Sequence, residues 1–238
     1  LLLQAIDGDQ TWFVGKKEIQ AMWGMIDPYI WAWGKNLVPL KTYTPDGNDI
    51  ALEAKDLLES VKIKKPRAIG IIGLGRMGGG IAEHLHEKNW HVVGYNKTPE
   101  ATRALFKKGI EPAKDMQTLI SALPTPRLVW VMVPSGKAVD DVMFGEDGLI
   151  HYLEKGDVVV DGGNSYYKET IRRGIRLKKH GIRFIDAGVS GGPDGARDGA
   201  CIMAGGDMKL LKEYEHLFRD MTVHRGYQMF EGTGAGHF

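Results

Sequence analysis

The stretch Ala68 to Gly80, AIGIIGLGRMGGG, decides how the rest of the chain is read. An apolar run from Ala68 to Ile72 leads into Gly73-Leu74-Gly75-Arg76-Met77-Gly78, and Ile81 to Leu85 reads as helix. A strand, a glycine-rich turn and a helix in that order open a dinucleotide-binding unit. Gly73 permits the tight turn, Gly75 lets the backbone approach a pyrophosphate, and Gly78 lets the helix lie close on its strand. The free N–H groups at the helix start then face the anion. Glycine-rich turns are common, and the flanking strand and helix give this one its weight.

Beyond this stretch the pattern alternates. Strands are expected at Ala68–Gly73, His91–Tyr95, Leu128–Val133, Asp157–Asp161, Ile182–Asp186 and Cys201–Ala204. Helices are expected at Met77–Lys88, Pro99–Lys108, Met116–Ala122, Lys137–Met143, Lys168–His180 and Asp207–Arg219. Continuously apolar strands such as Val158-Val159-Val160 fit a parallel sheet covered on both faces. The expected fold is α/β: a Rossmann-like, doubly wound, mostly parallel sheet preceded by a short helical appendage.

Composition narrows the class. The 238 residues suffice for one ordinary domain and a smaller piece, and 43% hydrophobic against 26% charged residues permits a real core. A net charge of +1 argues against nucleic acid held by bulk electrostatics. The single cysteine, Cys201, excludes a disulfide scaffold and suits a reducing, cytoplasmic compartment. Cys201 begins an apolar strand and is expected in the core. No membrane span is expected. Leu1-Leu2-Leu3 is not read as a signal peptide, because no basic leader precedes it.

Residues 1–60 differ from the rest of the chain and hold four of the six tryptophans. Lys16 to Trp33 has apolar residues near helical spacing, with a kink or break expected at Pro28. A turn is expected at Tyr43 to Asn48 and a second short helix at Ile50 to Val61. Residues 61–67, VKIKKPR, read as a solvated linker.

Several loops carry candidate chemistry. Asn96 lies 18 positions beyond Gly78 (78 to 96), near the point where NAD-binding units place Asp or Glu, about 20 residues after the turn. Here Asn96-Lys97-Thr98 offers an amide, an ammonium and a hydroxyl, which can bind a 2′-phosphate that a carboxylate would repel. The expected cofactor is therefore NADP rather than NAD, against the plainer reading of a solvated turn. Val133-Pro134-Ser135 lies at the carboxyl edge of the sheet, where open α/β folds bind ligands. Gly162-Gly163-Asn164-Ser165 leaves the Asn164 amide little encumbered, able to donate and accept between nicotinamide and a hydroxylated substrate; the alternative is a turn with Ser165 as helix cap. Ser190, with the N–H groups of Gly191 and Gly192, can cradle a carboxylate. Asp186 reads as a loop cap, and Arg197 as a partner of Asp194 or Asp198. The eight histidines show no metal spacing.

Together these motifs resemble the N-terminal half of 6-phosphogluconate dehydrogenase, the decarboxylating enzyme of the pentose phosphate pathway and gluconate utilization. The resemblance covers Ala68 to Phe238. It rests on Gly73 to Gly78, Asn96-Lys97-Thr98, Asp161-Gly162-Gly163-Asn164-Ser165, Val189-Ser190-Gly191-Gly192 with Gly195-Ala196-Arg197, and Gly236-His237-Phe238. It implies cofactor contacts at Gly73, Leu74, Gly75, Arg76, Met77 and Gly78, at Asn96, Lys97 and Thr98, at Val133, Pro134 and Ser135, and at Asn164. It implies 6-phosphogluconate contacts at Asn164, Ser190, Gly191 and Gly192. Val133-Pro134-Ser135 stands where many members carry Val-Lys-Ala. In the family a catalytic Lys and Glu follow Gly-His-Phe, so none is expected within the chain. A helical domain that builds a homodimer is expected beyond Phe238, and the 238 residues alone are expected to be inactive. The two ends of the chain read as cut.

Residues 1–60 resemble the C-terminal end of glucose-6-phosphate dehydrogenase, on Leu1-Leu2-Leu3, Gly8-Asp9-Gln10-Thr11, Phe13-Val14, Glu18, Trp23 and Asp27-Pro28. This implies a fusion, or a read-through, of two enzymes of one pathway. Two other readings stand beside the main one. A β-hydroxyacid dehydrogenase or imine reductase shares the fold, but usually has a Ser-Thr pair within the run where Asp161-Gly162-Gly163-Asn164-Ser165 stands. A non-catalytic nucleotide-binding module needs no catalytic residues.

Overall fold

The computed structural model describes residues 16–35 and 67–238. The chain divides into two units, Leu1–Ile63 and Lys64–Phe238. In the first, helix α1 spans Lys16–Gly34 and runs through Pro28. A single proline removes one backbone bond, and here it does not end the helix as expected. Trp23, Tyr29, Trp31 and Trp33 of α1 are exposed. The turn expected at Tyr43 to Asn48, the helix expected at Ile50 to Val61 and nearly all of the linker lie outside the described residues.

In the second unit the strands are β1 (Ala68–Ile72), β2 (His91–Tyr95), β3 (Glu111–Pro112), β4 (Leu128–Val131), β5 (Val158–Asp161), β6 (Arg183–Ser190), β7 (Ala200–Gly206) and β8 (Thr222–Glu231). They form one sheet in the order β3-β2-β1-β4-β5-β6-β7-β8. All neighbours are parallel except β6 and β7, which pair antiparallel from Ile185 with Gly206 to Ser190 with Cys201. The helices are α2 (Arg76–Glu87), α3 (Pro99–Phe106), α4 (Met116–Ser121), α5 (Lys137–Phe144), α6 (Tyr167–Lys179), α7 (Gly192–Asp198), α8 (Met208–Glu213) and α9 (Glu215–Met221).

Two apolar clusters cover the two faces of this sheet. Successive strand residues point to opposite faces, so Ile69, Ile71, Trp130, Val158 and Val160 join one cluster. Ile72, Val129, Val131 and Val159 join the other, with Leu119, Met143 and Leu177 from the helices. All three valines of β5 are fully buried, each a gain of about 1.5–3 kcal/mol over exposure. The chain reverses its winding between β1 and β4, and that switch point is where doubly wound sheets open a crevice.

Several expectations need correction. β6 continues past Asp186 to Ser190 because its antiparallel partner β7 keeps pairing with it. The helix expected over Asp207–Arg219 is two helices, broken at Tyr214, whose hydroxyl accepts from Arg183 at 3.4 Å. Strand β8 and the two-residue β3 were not foreseen, nor was α7. Cys201 is exposed rather than in the core. Its neighbours Ala200 and Ile202 face inward, and strand alternation turns Cys201 and Met203 outward. Arg197 pairs with Glu87 and Glu83 of α2, not with Asp194 or Asp198, because α7 packs directly on that helix.

Candidate functional site

β1 stops at Ile72 because Gly73 turns to φ +93°, and a Cβ there would lie 2.2 Å from the Met132 carbonyl oxygen. Two bonds pin the turn to the end of β2. The Gly73 N–H donates to the Tyr95 carbonyl at 2.9 Å, and the Leu74 N–H donates to Asn96 Oδ1 at 2.9 Å. A Cβ on Gly78 would meet the Gly73 carbonyl oxygen at 1.9 Å, so α2 lies on its strand only with glycine there. Gly75 differs: it is exposed, and nothing lies within 4 Å of its Cβ position. The space in front of the α2 N-terminus is therefore open to an anion.

Opposite the turn, Gly162 rests on the Trp130 indole, whose Nε1 would be 2.5 Å from a Cβ at 162. Gly163 leaves room for the Val133 carbonyl, 2.7 Å from its own Cβ position, so the loops after β4 and β5 touch. Asp161 shapes the second of these loops. Its Oδ1 accepts from the Gly163 N–H at 3.1 Å and its Oδ2 from the Ser165 hydroxyl at 2.9 Å. Ser165 is thus bound to Asp161 and is not the α6 cap, a position held by Tyr166. The Asn164 amide is committed at both ends to the Val189 backbone, Oδ1 accepting at 2.8 Å and Nδ2 donating at 3.0 Å.

Val133, Pro134, Asn164, Ser190, Gly191 and Gly192 join Gly75, Arg76, Met77 and Gly78 around a cleft of about 570 Å³. Met132, Gly162, Gly163 and Val189 complete its lining. Gly73 and Leu74 form the buried base of the turn, and Ser135 is exposed outside this lining. Asn96, Lys97 and Thr98 also lie outside it, at the end of β2 beside the turn. Lys97 and Thr98 are exposed, whereas the Asn96 amide is engaged with the Leu74 N–H and the Thr98 carbonyl. Ser190 ends β6, and Gly191 adopts φ +119° before α7 begins.

Asp186 is a buried strand residue rather than a loop cap. Its carboxylate accepts the N–H groups of Gly234, Gly236 and His237 at 2.7, 2.8 and 3.1 Å, which fastens the segment after β8 against β6. Burial pushes this carboxyl above its usual range, although the three N–H groups and His237 pull the other way. His237 Nδ1 sits 2.9 Å from the Thr170 hydroxyl oxygen. Among the described residues no cluster of His, Cys, Asp or Glu is arranged to hold a metal ion, and no helix is long and apolar enough to cross a membrane.

A doubly wound sheet with a glycine turn at its switch point and an open helix N-terminus is the nucleotide-binding domain of a dehydrogenase-type oxidoreductase. The family described as the NAD binding domain of 6-phosphogluconate dehydrogenase matches residues 68–229. The chain belongs to that family. It is 45% identical over 170 residues to the Bacillus subtilis protein YqeC, provisionally named a 6-phosphogluconate dehydrogenase, covering 71% of this chain and 56% of that protein. It is 43% identical over 183 residues to the decarboxylating 6-phosphogluconate dehydrogenase of Bacillus licheniformis, covering 71% and 38%. A Bacillus subtilis relative named as NAD(+)-dependent is 37% identical over 179 residues, covering 72% and 38%. Among solved structures, Plasmodium falciparum 6-phosphogluconate dehydrogenase, studied alone and with NADP+ and 6-phosphogluconate, superposes with TM-score 0.67 and 28% identity, covering 71% and 38%. The chain thus spans 56% of one of these relatives' length and 38% of the others.

Proposed function

We propose that the chain serves the NADP-linked oxidative decarboxylation of 6-phosphogluconate to ribulose 5-phosphate, supplying the cofactor cleft and part of the substrate site. One arrangement carries this reading: a single cleft joins the glycine turn at Gly75 to Gly78 with the Asn164 loop and Ser190 to Gly192. NADP fits the residues present, since open space at Gly75 faces the α2 N-terminus and Lys97 and Thr98 are exposed beside the turn. When bound, the nicotinamide accepts hydride from the substrate. The residues that would hold NADP are those at the α2 N-terminus for the pyrophosphate and Val133 and Asn164 for the ring side, with Ser190 and the two glycine N–H groups left for the sugar acid.

The engaged Asn96 amide favours a second reading, NAD, because it leaves only the Lys97 ammonium and the Thr98 hydroxyl of Asn96-Lys97-Thr98 to meet a 2′-phosphate. Calorimetric titration of the chain with NADP+, NAD+ and 6-phosphogluconate separates them. A lower Kd for NADP+ is expected, and a lower Kd for NAD+ overturns the NADP assignment. Binding of neither dinucleotide overturns the function. Cytoplasmic residence, a homodimer in the whole protein, and the division at 1–60, 61–67 and 68–238 with a glucose-6-phosphate dehydrogenase-like first part belong to the same proposal.

A further inference from the structure

The Arg173 side chain is fully buried in α6 and is shared among three carboxylates and one carbonyl. Its Nε donates to Asp140 Oδ1 at 3.0 Å, and Nη2 lies within 3.0 to 3.3 Å of Gly136 O, Glu169 Oε2 and Asp140 Oδ2. Its Nη1 has no hydrogen-bond partner and points to Asp161 Oδ2 at 3.8 Å. Burying a guanidinium is costly unless it is paired. Asp140 and Glu169 suffice to pair it and to tie α5 to α6. The remaining two contacts go elsewhere. The Gly136 carbonyl belongs to the loop after β4, and Asp161 is the carboxylate that holds Gly163 and Ser165 in the loop after β5. Those two loops meet at Val133 and Gly163 and form one wall of the cleft.

We propose that Arg173 is a positioning residue that sets the two loops after β4 and β5 in register and thereby shapes the nicotinamide side of the cleft. This rests on the reading of the cleft as a dinucleotide site. In a doubly wound sheet the adenosine half lies over the glycine turn and β2, and the other half crosses the switch point toward β4 and β5. Arg173 touches only the loops of the second half. Its loss should therefore weaken the intact dinucleotide without weakening a ligand that fills the adenosine half alone.

The test compares the full chain with Arg173→Lys, which keeps the charge and loses the planar fork. Kd is measured for NADP+ and for adenosine 2′,5′-bisphosphate, with circular dichroism and a thermal transition as checks of folding. The expected result is about tenfold weaker NADP+ binding, the size of loss that removing a supporting contact behind a site produces, with the bisphosphate unchanged within about twofold. Equal losses for both ligands, or no loss for either, overturn the positioning role. If Arg173→Lys does not fold, Asp140→Asn decides, since it loosens the guanidinium from the partly exposed side. A selective loss for NADP+ supports the proposal, and unchanged NADP+ affinity overturns it. If the unaltered chain binds neither ligand, it is the dinucleotide reading that has failed.

Discussion

Asn164 and Val189 form a closed pair in which the side-chain amide of one accepts from and donates to the backbone of the other, at 2.8 and 3.0 Å. The pair joins the loop after β5 to the end of β6, across the cleft floor. Asn164 also sits at φ +50°, a left-handed conformation that Asn tolerates and Ala does not. Asn164→Ala should therefore destabilise the chain by about 2–4 kcal/mol, the sum of two lost bonds and strain. Asn164→Gly should recover about 1 kcal/mol of that. Urea midpoints measure both, and equal midpoints would show that the backbone conformation carries no strain.

Gly75 and Gly78 should respond in opposite ways to the same methyl group. Gly75→Ala meets nothing within 4 Å and needs no positive φ, so the melting temperature should stay within a few degrees of the original. Dinucleotide binding should nevertheless fall at least about tenfold, because the methyl occupies the path of the pyrophosphate. Gly78→Ala drives its Cβ onto the Gly73 carbonyl and should cost about 1–3 kcal/mol or more of stability. Unchanged NADP+ affinity in Gly75→Ala would remove the glycine turn from the binding site.

The Asp140–Arg173 pair predicts a defined acid response. Burial pushes the Asp140 carboxyl up, but the bonds and charges of Arg173 and Arg172 together outweigh it and hold the carboxyl below its usual range. A carboxyl lowered in the folded state adds stability above its unfolded value, about 4, and that stability is lost as pH falls through the lower folded value. The stability gap between the chain and Asp140→Asn should be full near neutral pH and shrink below about pH 4. Urea unfolding at a series of pH values reads the gap, and a constant gap from neutral pH to about pH 3 would deny the pair a charge-dependent role.

Asp186 should govern the local order of the segment after β8. Asp186→Asn puts an amide donor against backbone N–H groups that now meet a carboxylate. Amide hydrogen exchange at Gly234, Gly236 and His237 should quicken by about tenfold, with β5 and α6 unaffected. Unaltered exchange at those three amides would mean that other contacts hold the segment.

The frame of this fold was legible where local chemistry and tertiary position agree. Ala68 to Gly78 announces itself, because a buried parallel strand needs a continuous apolar run and the turn after it needs glycines. Val158 to Val160 is read the same way. β8 was not legible: it is an edge strand whose residues, among them His224, Arg225, Gly226 and Gln228, follow no alternation. Arg173 lies in a helix so rich in charge that every basic residue reads as solvated, and two of the carboxylates that make its burial possible, Asp140 and Asp161, lie 33 and 12 positions earlier on other elements. Asp186 finds its partners 48 to 51 positions away, in residues that show no pattern of their own. Of the candidate residues, Gly75 to Gly78, Val133, Pro134, Asn164 and Ser190 to Gly192 line one cleft while Asn96, Lys97, Thr98 and Ser135 lie outside it, and the commitment of the Asn96 and Asn164 amides to backbone groups depends on contacts that no spacing encodes.

Because the Trp130 indole lies where a side chain at 162 would begin, position 162 can gain a side chain only where residue 130 is smaller. Lineages of this domain that carry a side chain at 162 should carry a smaller residue at 130, whereas glycine at 162 is compatible with either size. The same coupling should appear in the laboratory as epistasis: Gly162→Ala alone is disruptive, and adding Trp130→Leu should restore about 1 kcal/mol or more of the loss. The floor of the cleft thus sets an order of change: the residue at 130 has to shrink before the residue at 162 can grow.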